Sequence, residues 1–125
     1  MTKLSKNFSS EEFECNCGKC GINKVSPVVV LVWQMVRDHF GKSVTINSGV
    51  RCPEYNKKVG GKSKSSHMPN DLGEGQASDG VVKGVSPREV YDFINKMFPN
   101  SLGLGVYKNF VHVDSRMDRA YRWEG

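Results

Sequence analysis

Apolar and polar positions alternate along this chain with two different periods. Val29, Trp33, Val36 and Phe40 recur at helical spacing, which predicts a helix from Pro27 to about Phe40 with that face toward a core. Ser26 is a good cap, Pro27 suits the first helical position, and Gly41 fits the left-handed stop. Val44-Thr45-Ile46 is β-branched and reads as a strand, and residues 77–82 read as another. Ser86-Pro87-Arg88-Glu89 is a capping box for a second helix, on which Val90, Phe93, Ile94, Met97 and Phe98 share one face before Pro99 ends it. Residues 102–107 and 110–114 predict a hairpin turning at Lys108-Asn109, and a last strand contains Tyr121 to Trp123. The sum is an α+β fold, with two main helices packed on a small antiparallel sheet.

Two stretches fall outside this periodicity. Residues 1–24 form an arm, with Ser10 expected to cap a helical turn starting at Glu11 and with Cys15, Cys17 and Cys20 in a tight knuckle. Residues 47–76 are irregular apart from a short helical piece near residues 53–59, and a loop of that length in a compact domain is usually functional. With 125 residues, 38% hydrophobic and 25% charged, the chain reads as a single domain over residues 1–125. Its longest apolar run, residues 28–33, is too short to span a bilayer, so no membrane insertion is expected. Residues 1–10 lack an apolar signal region, which predicts synthesis in the cytoplasm without a signal peptide. The formal charge of +5 fits either a lysine-rich solvated surface or attraction to a polyanion. Basic residues are spread along the chain rather than gathered in a recognition helix, so nucleic acid is not an expected partner.

Of the three histidines, His39 sits near the end of the first helix and is expected to face solvent. His67 lies in the glycine-rich loop, and His112 lies in Phe110-Val111-His112-Val113-Asp114. Alternate strand residues share a face, so His112 and Asp114 project together, about 6–7 Å apart along the strand. Val111 and Val113 point the other way. Two imidazoles and a carboxylate such as Asp79 make a three-ligand zinc set with a fourth position open for water. Spacing alone fits equally a surface histidine in a loop and a hydrogen-bonded structural histidine on a strand.

Several ordered motifs carry a resemblance. Ser48-Gly49-Val50-Arg51-Cys52-Pro53-Glu54-Tyr55-Asn56, Val59-Gly60-Gly61, Ser66-His67, Gly75-x-Ala77-x-Asp79, Gly103-x-Gly105-x-Tyr107, Phe110 to Asp114 and Arg119-x-x-Arg122-Trp123 together resemble the M15 peptidases. Asn7-Phe8-Ser9 to Phe13-x-Cys15 is similar to the usual family start. The likeness is greatest to the small D-Ala-D-Ala carboxypeptidase-like branch, which includes phage endolysins, and implies a hedgehog/D-Ala-D-Ala peptidase-like fold. It implies a zinc peptidase whose ligands are His67, Asp79 and His112. It also implies that Arg51 contacts substrate or steadies a developing oxyanion, and that Ser66 and Asn56 contact substrate. The substrate implied is a peptidoglycan stem peptide or crosslink. The protein would be a monomer acting at the cell wall, reached through phage-mediated release or as part of a virion. Gly60 and Gly61 are expected to let the backbone turn beside the site.

Two departures from that pattern matter. Met68 to Glu74 lengthens the gap between His67 and Asp79, so Asp71 or Glu74 competes as a ligand; Asp79 is preferred because it keeps the Gly-x-Ala-x-Asp frame. The positions where several branches carry a proton-shuttling residue hold Asn109 and Phe110, neither of which is a base. Asp114 is the expected shuttle, with Glu74 the other candidate, and a supporting role for Asp114 behind a ligand is the competing reading. These departures also motivate an alternative function, a zinc-containing wall- or protein-binding module that does not cut.

Cys15, Cys17, Cys20 and Cys52 admit a structural zinc held by four thiolates, free thiols, or disulfides. The arm has few apolar residues, so a metal or crosslink would help to fix it to the domain.

Overall fold

A computed structural model describes residues 2–125. It contains α1 (Pro27–Phe40), β1 (Val44–Ser48), α2 (Pro53–Lys58), β2 (Ala77–Val82), α3 (Pro87–Met97), β3 (Gly103–Val106), β4 (Val111–Asp114) and β5 (Tyr121–Glu124), after a single 3-10 turn at Ser10–Phe13. The fold is α+β, as expected. The sheet order is β1-β2-β4-β3-β5. All pairings are antiparallel except β3 with β5, so the sheet is mixed rather than purely antiparallel. The sequence signal for β5 was short, and nothing in its own residues states its direction.

The two long helices start and stop where local chemistry dictates. The Ser26 hydroxyl accepts from the Val28 N–H at 3.2 Å, and Gly41 adopts φ 64° with its N–H on the Arg37 carbonyl. On α3 the Ser86 hydroxyl accepts from the Glu89 N–H at 3.2 Å. Val29, Val32, Trp33 and Val36 of α1 are buried with Val90 and Ile94 of α3 against Leu104, Val111 and Val113 of the sheet. Trp33 donates its indole N–H to the Ser78 hydroxyl at 2.7 Å, which satisfies the one polar atom of the largest core side chain. Met97, expected on the buried face, is 46% exposed. His39 is exposed and stacks on Phe93 at 4.1 Å.

The arm departs furthest from expectation. Phe8 and Phe13 are 2% and 0% exposed and belong to the same core cluster as α1 and the sheet. The turn at Ser10 is capped one residue earlier than expected: the Glu12 carboxylate accepts from the Ser9 N–H at 2.7 Å, while the Ser10 hydroxyl accepts from the Thr2 N–H. The Val50 N–H donates to the Phe13 carbonyl at 2.9 Å, and a side chain at Gly49 would place its Cβ 2.5 Å from that oxygen. Gly49 is therefore small because the arm crosses directly over it. Among the described residues no helix is long and apolar enough to cross a membrane.

Candidate metal centre

β2 and β4 are neighbours, and their register sets Asp79 opposite His112. Both side chains therefore project from the same sheet face. His67 reaches them from the loop after α2. Its Nδ1 lies 2.7 Å from the Gly49 carbonyl oxygen, and its own carbonyl accepts from the Arg51 N–H at 2.7 Å. A carbonyl can only accept, so Nδ1 is the donor there and Nε2 is the nitrogen turned toward Asp79. That Nε2 is 3.4 Å from Asp79 Oδ1, and His112 Nδ1 is 3.0 Å from the same oxygen. The three donor atoms lie within 4.8 Å of one another. Nitrogen and oxygen ligands around tetrahedral zinc stand about 3.4 Å apart, so the set fits that ion.

Asp114 stands behind His112 rather than beside the shared oxygen. Its Oδ2 is 3.1 Å from His112 Nε2 and accepts from Arg116 Nη2, while its Oδ1 accepts from Arg116 Nε and from the Gly103 N–H, both at 2.9 Å. It is 1% exposed. A Cβ on Gly103 would collide with this carboxylate, which explains glycine there. The pairing of a ligand imidazole with a carboxylate on its far nitrogen fixes the tautomer and ring angle.

Charge in the centre is arranged for a cation. Burial pushes the Asp79 carboxyl up, but hydrogen bonds from His112 and His67 outweigh it and hold the group well below the ordinary carboxylate range. Asp114 is likewise depressed, burial being outweighed by His112 and Arg116. Burial pulls His112 down, yet Asp114 and Asp79 on its two nitrogens raise it above its ordinary value.

The remaining expected residues divide. Arg51 lines the cleft, with Nη2 3.9 Å from Asp79 Oδ2 and Nε donating to the Ser48 hydroxyl at 3.3 Å. Ser66 lines it too. Asn56 does not: it is 3% exposed, its amide donates to the Lys62 carbonyl at 2.8 Å, and its oxygen accepts from Arg51. Both of its polar side-chain atoms are engaged within the loop. Gly60 turns that loop at φ 73°.

Asp71 and Glu74 stand apart from the three donors. The segment between Met68 and Glu74 closes on itself: the Asn70 N–H donates to the Glu74 carbonyl at 2.8 Å, and the Asn70 side chain accepts from the N–H groups of Leu72 and Glu74. Beneath it the Gln76 N–H donates to the Ser66 carbonyl at 2.7 Å, which brings the two ends of the insertion together.

Above the donors lies a cleft of about 410 Å³. Arg51, Lys62, Lys64 and Arg116 make part of its wall cationic, and Tyr107, Phe110 and Trp123 make the rest aromatic. Tyr107 stacks on Phe110 at 4.4 Å and accepts from the Trp123 indole N–H at 2.8 Å, while Trp123 lies 5.1 Å from the His112 ring. The aromatic wall was not foreseen as part of the site. Its signal was the placement of Tyr107 and Phe110 at the two ends of the predicted hairpin turn.

No curated protein and no solved structure matched this chain. A family model described as Peptidase M15 matches residues 6–114, a span that holds most of the arm and all three donors, and the chain belongs to the M15 peptidase family.

Proposed function

We propose that this protein is a zinc peptidase that hydrolyses peptide bonds in peptidoglycan stem peptides or their crosslinks. The observation that carries the proposal is the convergence of His67 Nε2, Asp79 Oδ1 and His112 Nδ1 at the base of a cationic cleft, in a chain of a zinc-dependent peptidase family. Bound to these atoms, zinc would supply Lewis acidity and a water of lowered pKa. Arg51 enters the cleft beside Asp79, where its planar guanidinium suits either a substrate carboxylate or the charge developing on a carbonyl oxygen. Lys62, Lys64 and Arg116 favour peptides bearing carboxylates, as wall peptides do. The aromatic wall offers apolar surface for short side chains, and Ser66 offers a hydroxyl.

Asp114 acts in this reading as a positioning residue. Its contacts to His112, Arg116 and the Gly103 N–H leave it turned toward the protein. Among the described residues Asp79 and Asp114 are the only carboxylates lining the cleft, and both are engaged. That observation favours a second reading, a wall-binding module that keeps the metal and does not cut.

Mass spectrometry of muropeptides incubated with zinc-loaded protein, beside a chelated control, separates the two. Metal-dependent loss of D-Ala or a severed stem peptide, at substoichiometric protein, establishes the peptidase and names the bond. Retained wall binding with no new product would replace it with the binding module.

A further inference from the structure

A second cluster of ligating side chains shares no residue with the His67–Asp79–His112 set and has a different character. The Sγ atoms of Cys15, Cys17, Cys20 and Cys52 lie within 4.8 Å of one another. Sulfurs around a tetrahedral zinc stand about 3.8 Å apart. Three of the cysteines come from the arm, whose chain turns through left-handed Gly18 (φ 75°) and Gly21 (φ 67°). The fourth is the residue that caps α2.

Every sulfur in the cluster has a backbone donor. Cys17 Sγ accepts from the N–H groups of Lys19 at 3.4 Å and Cys20 at 3.3 Å. Cys20 Sγ accepts from Ile22, Cys15 Sγ from Cys52, and Cys52 Sγ from Tyr55, at 3.3 to 3.4 Å. Such donors orient and stabilise thiolates in the way outer hydrogen bonds orient metal ligands. Lys19 and Lys58 border the same cavity, and their charge offsets the double negative charge of a metal with four thiolates.

We propose that Cys15, Cys17, Cys20 and Cys52 bind a structural zinc ion, separate from the His67–Asp79–His112 centre, that fastens the arm to the loop carrying Arg51. Cys52 is the neighbour of Arg51, and the Gly49 carbonyl that fixes His67 lies three residues before it. The Phe13–Val50 backbone bond runs alongside. The second ion thus braces the segment from which the first centre takes two of its determinants. Four thiolates with no water position make this a closed site.

Native mass spectrometry of the full chain, purified without chelator, tests it through the H67A/D79A/H112A variant, which keeps all four cysteines. Two zinc ions are expected in the parent and one in the variant. Loading the variant with cobalt should give a sulfur-to-metal charge-transfer band in the near ultraviolet, which nitrogen and oxygen ligands do not produce. A C17S/C20S protein should lose one zinc, and failure of that protein to fold leaves the triple-variant result intact. A triple variant with no metal, a mass short by two hydrogens per disulfide, or cobalt without the thiolate band would overturn the proposal. None of these outcomes depends on whether the protein cuts peptides.

Discussion

His112 and Asp114 sit two residues apart on β4 and meet through a 3.1 Å contact between Nε2 and Oδ2. Their alternation along one strand is what turns the other nitrogen of His112 toward Asp79. Asp114→Asn keeps the shape and removes the charge. It should weaken zinc binding about 10- to 100-fold, by analogy with other carboxylates behind a ligand histidine. Competition with a chromogenic chelator measures this, and unchanged affinity would show that the contact does not set the imidazole.

Arg51 makes its claim on function through geometry that lysine cannot copy. Arg51→Lys loses the fork shared between Ser48, Asn56 and the cleft. Turnover on wall peptides should fall about 10²- to 10³-fold, the usual loss when one oxyanion donor goes. Zinc content should not change, and loss of zinc would assign Arg51 to building the centre instead.

The metal-free protein should have a stability maximum in mildly acidic solution. Asp79 and Asp114 have folded pKa values below the ordinary 3.8, so their contribution is complete above that value and is lost as the pH falls through the depressed ones. His112 has a folded pKa above the ordinary 6.5, so its contribution is complete below 6.5 and is lost as the pH rises through the raised value. Thermal unfolding of chelated protein should therefore peak between about pH 4 and 6.5. Zinc should invert the alkaline side, since it needs a neutral imidazole. A chelated protein whose Tm climbs steadily from pH 6 to 9 would contradict the carboxylate clamp on His112.

Ser78→Ala leaves the Trp33 indole N–H buried without its 2.7 Å partner. The cost should be about 1–3 kcal/mol in chemical denaturation, the penalty of an unmade buried hydrogen bond. No loss would mean that water reaches the indole.

Phe13→Ala tests the arm. A fully buried phenylalanine removed from a core costs about 3–5 kcal/mol. A peripheral arm would lose almost nothing, and urea unfolding distinguishes the two.

Helices were legible because their signals are local. Ser26-Pro27, Gly41 and Ser86 to Glu89 announce their boundaries in consecutive residues. The β3–β4 hairpin was legible for the same reason, and its register follows from the turn that joins Tyr107 to Phe110. The parallel pairing of β5 was not, since strand direction is decided by packing at the sheet edge. Nor was the burial of Phe8 and Phe13, because two aromatic residues in a polar stretch have no period to read. In the site, the donor set came from ordered motifs rather than spacing. The Gly-x-Ala-x-Asp frame preferred Asp79 over Asp71 and Glu74, and the β2–β4 register sets Asp79 opposite His112. Which groups the Asp114 carboxylate meets needed a rotamer, which a one-dimensional pattern does not contain.

The self-closed segment between Met68 and Glu74 has a practical meaning for anyone who would alter this protein. Asn70 ties its tip, the Ser66–Gln76 bond ties its base, and Leu72 at its crest is 70% exposed. A segment so anchored can be exchanged for another of different length at little entropic expense, because each doubling of a loop costs only about 0.6 kcal/mol. It is therefore the natural socket for a fluorophore, an epitope or a grafted targeting peptide, set apart from the three donors of the metal centre.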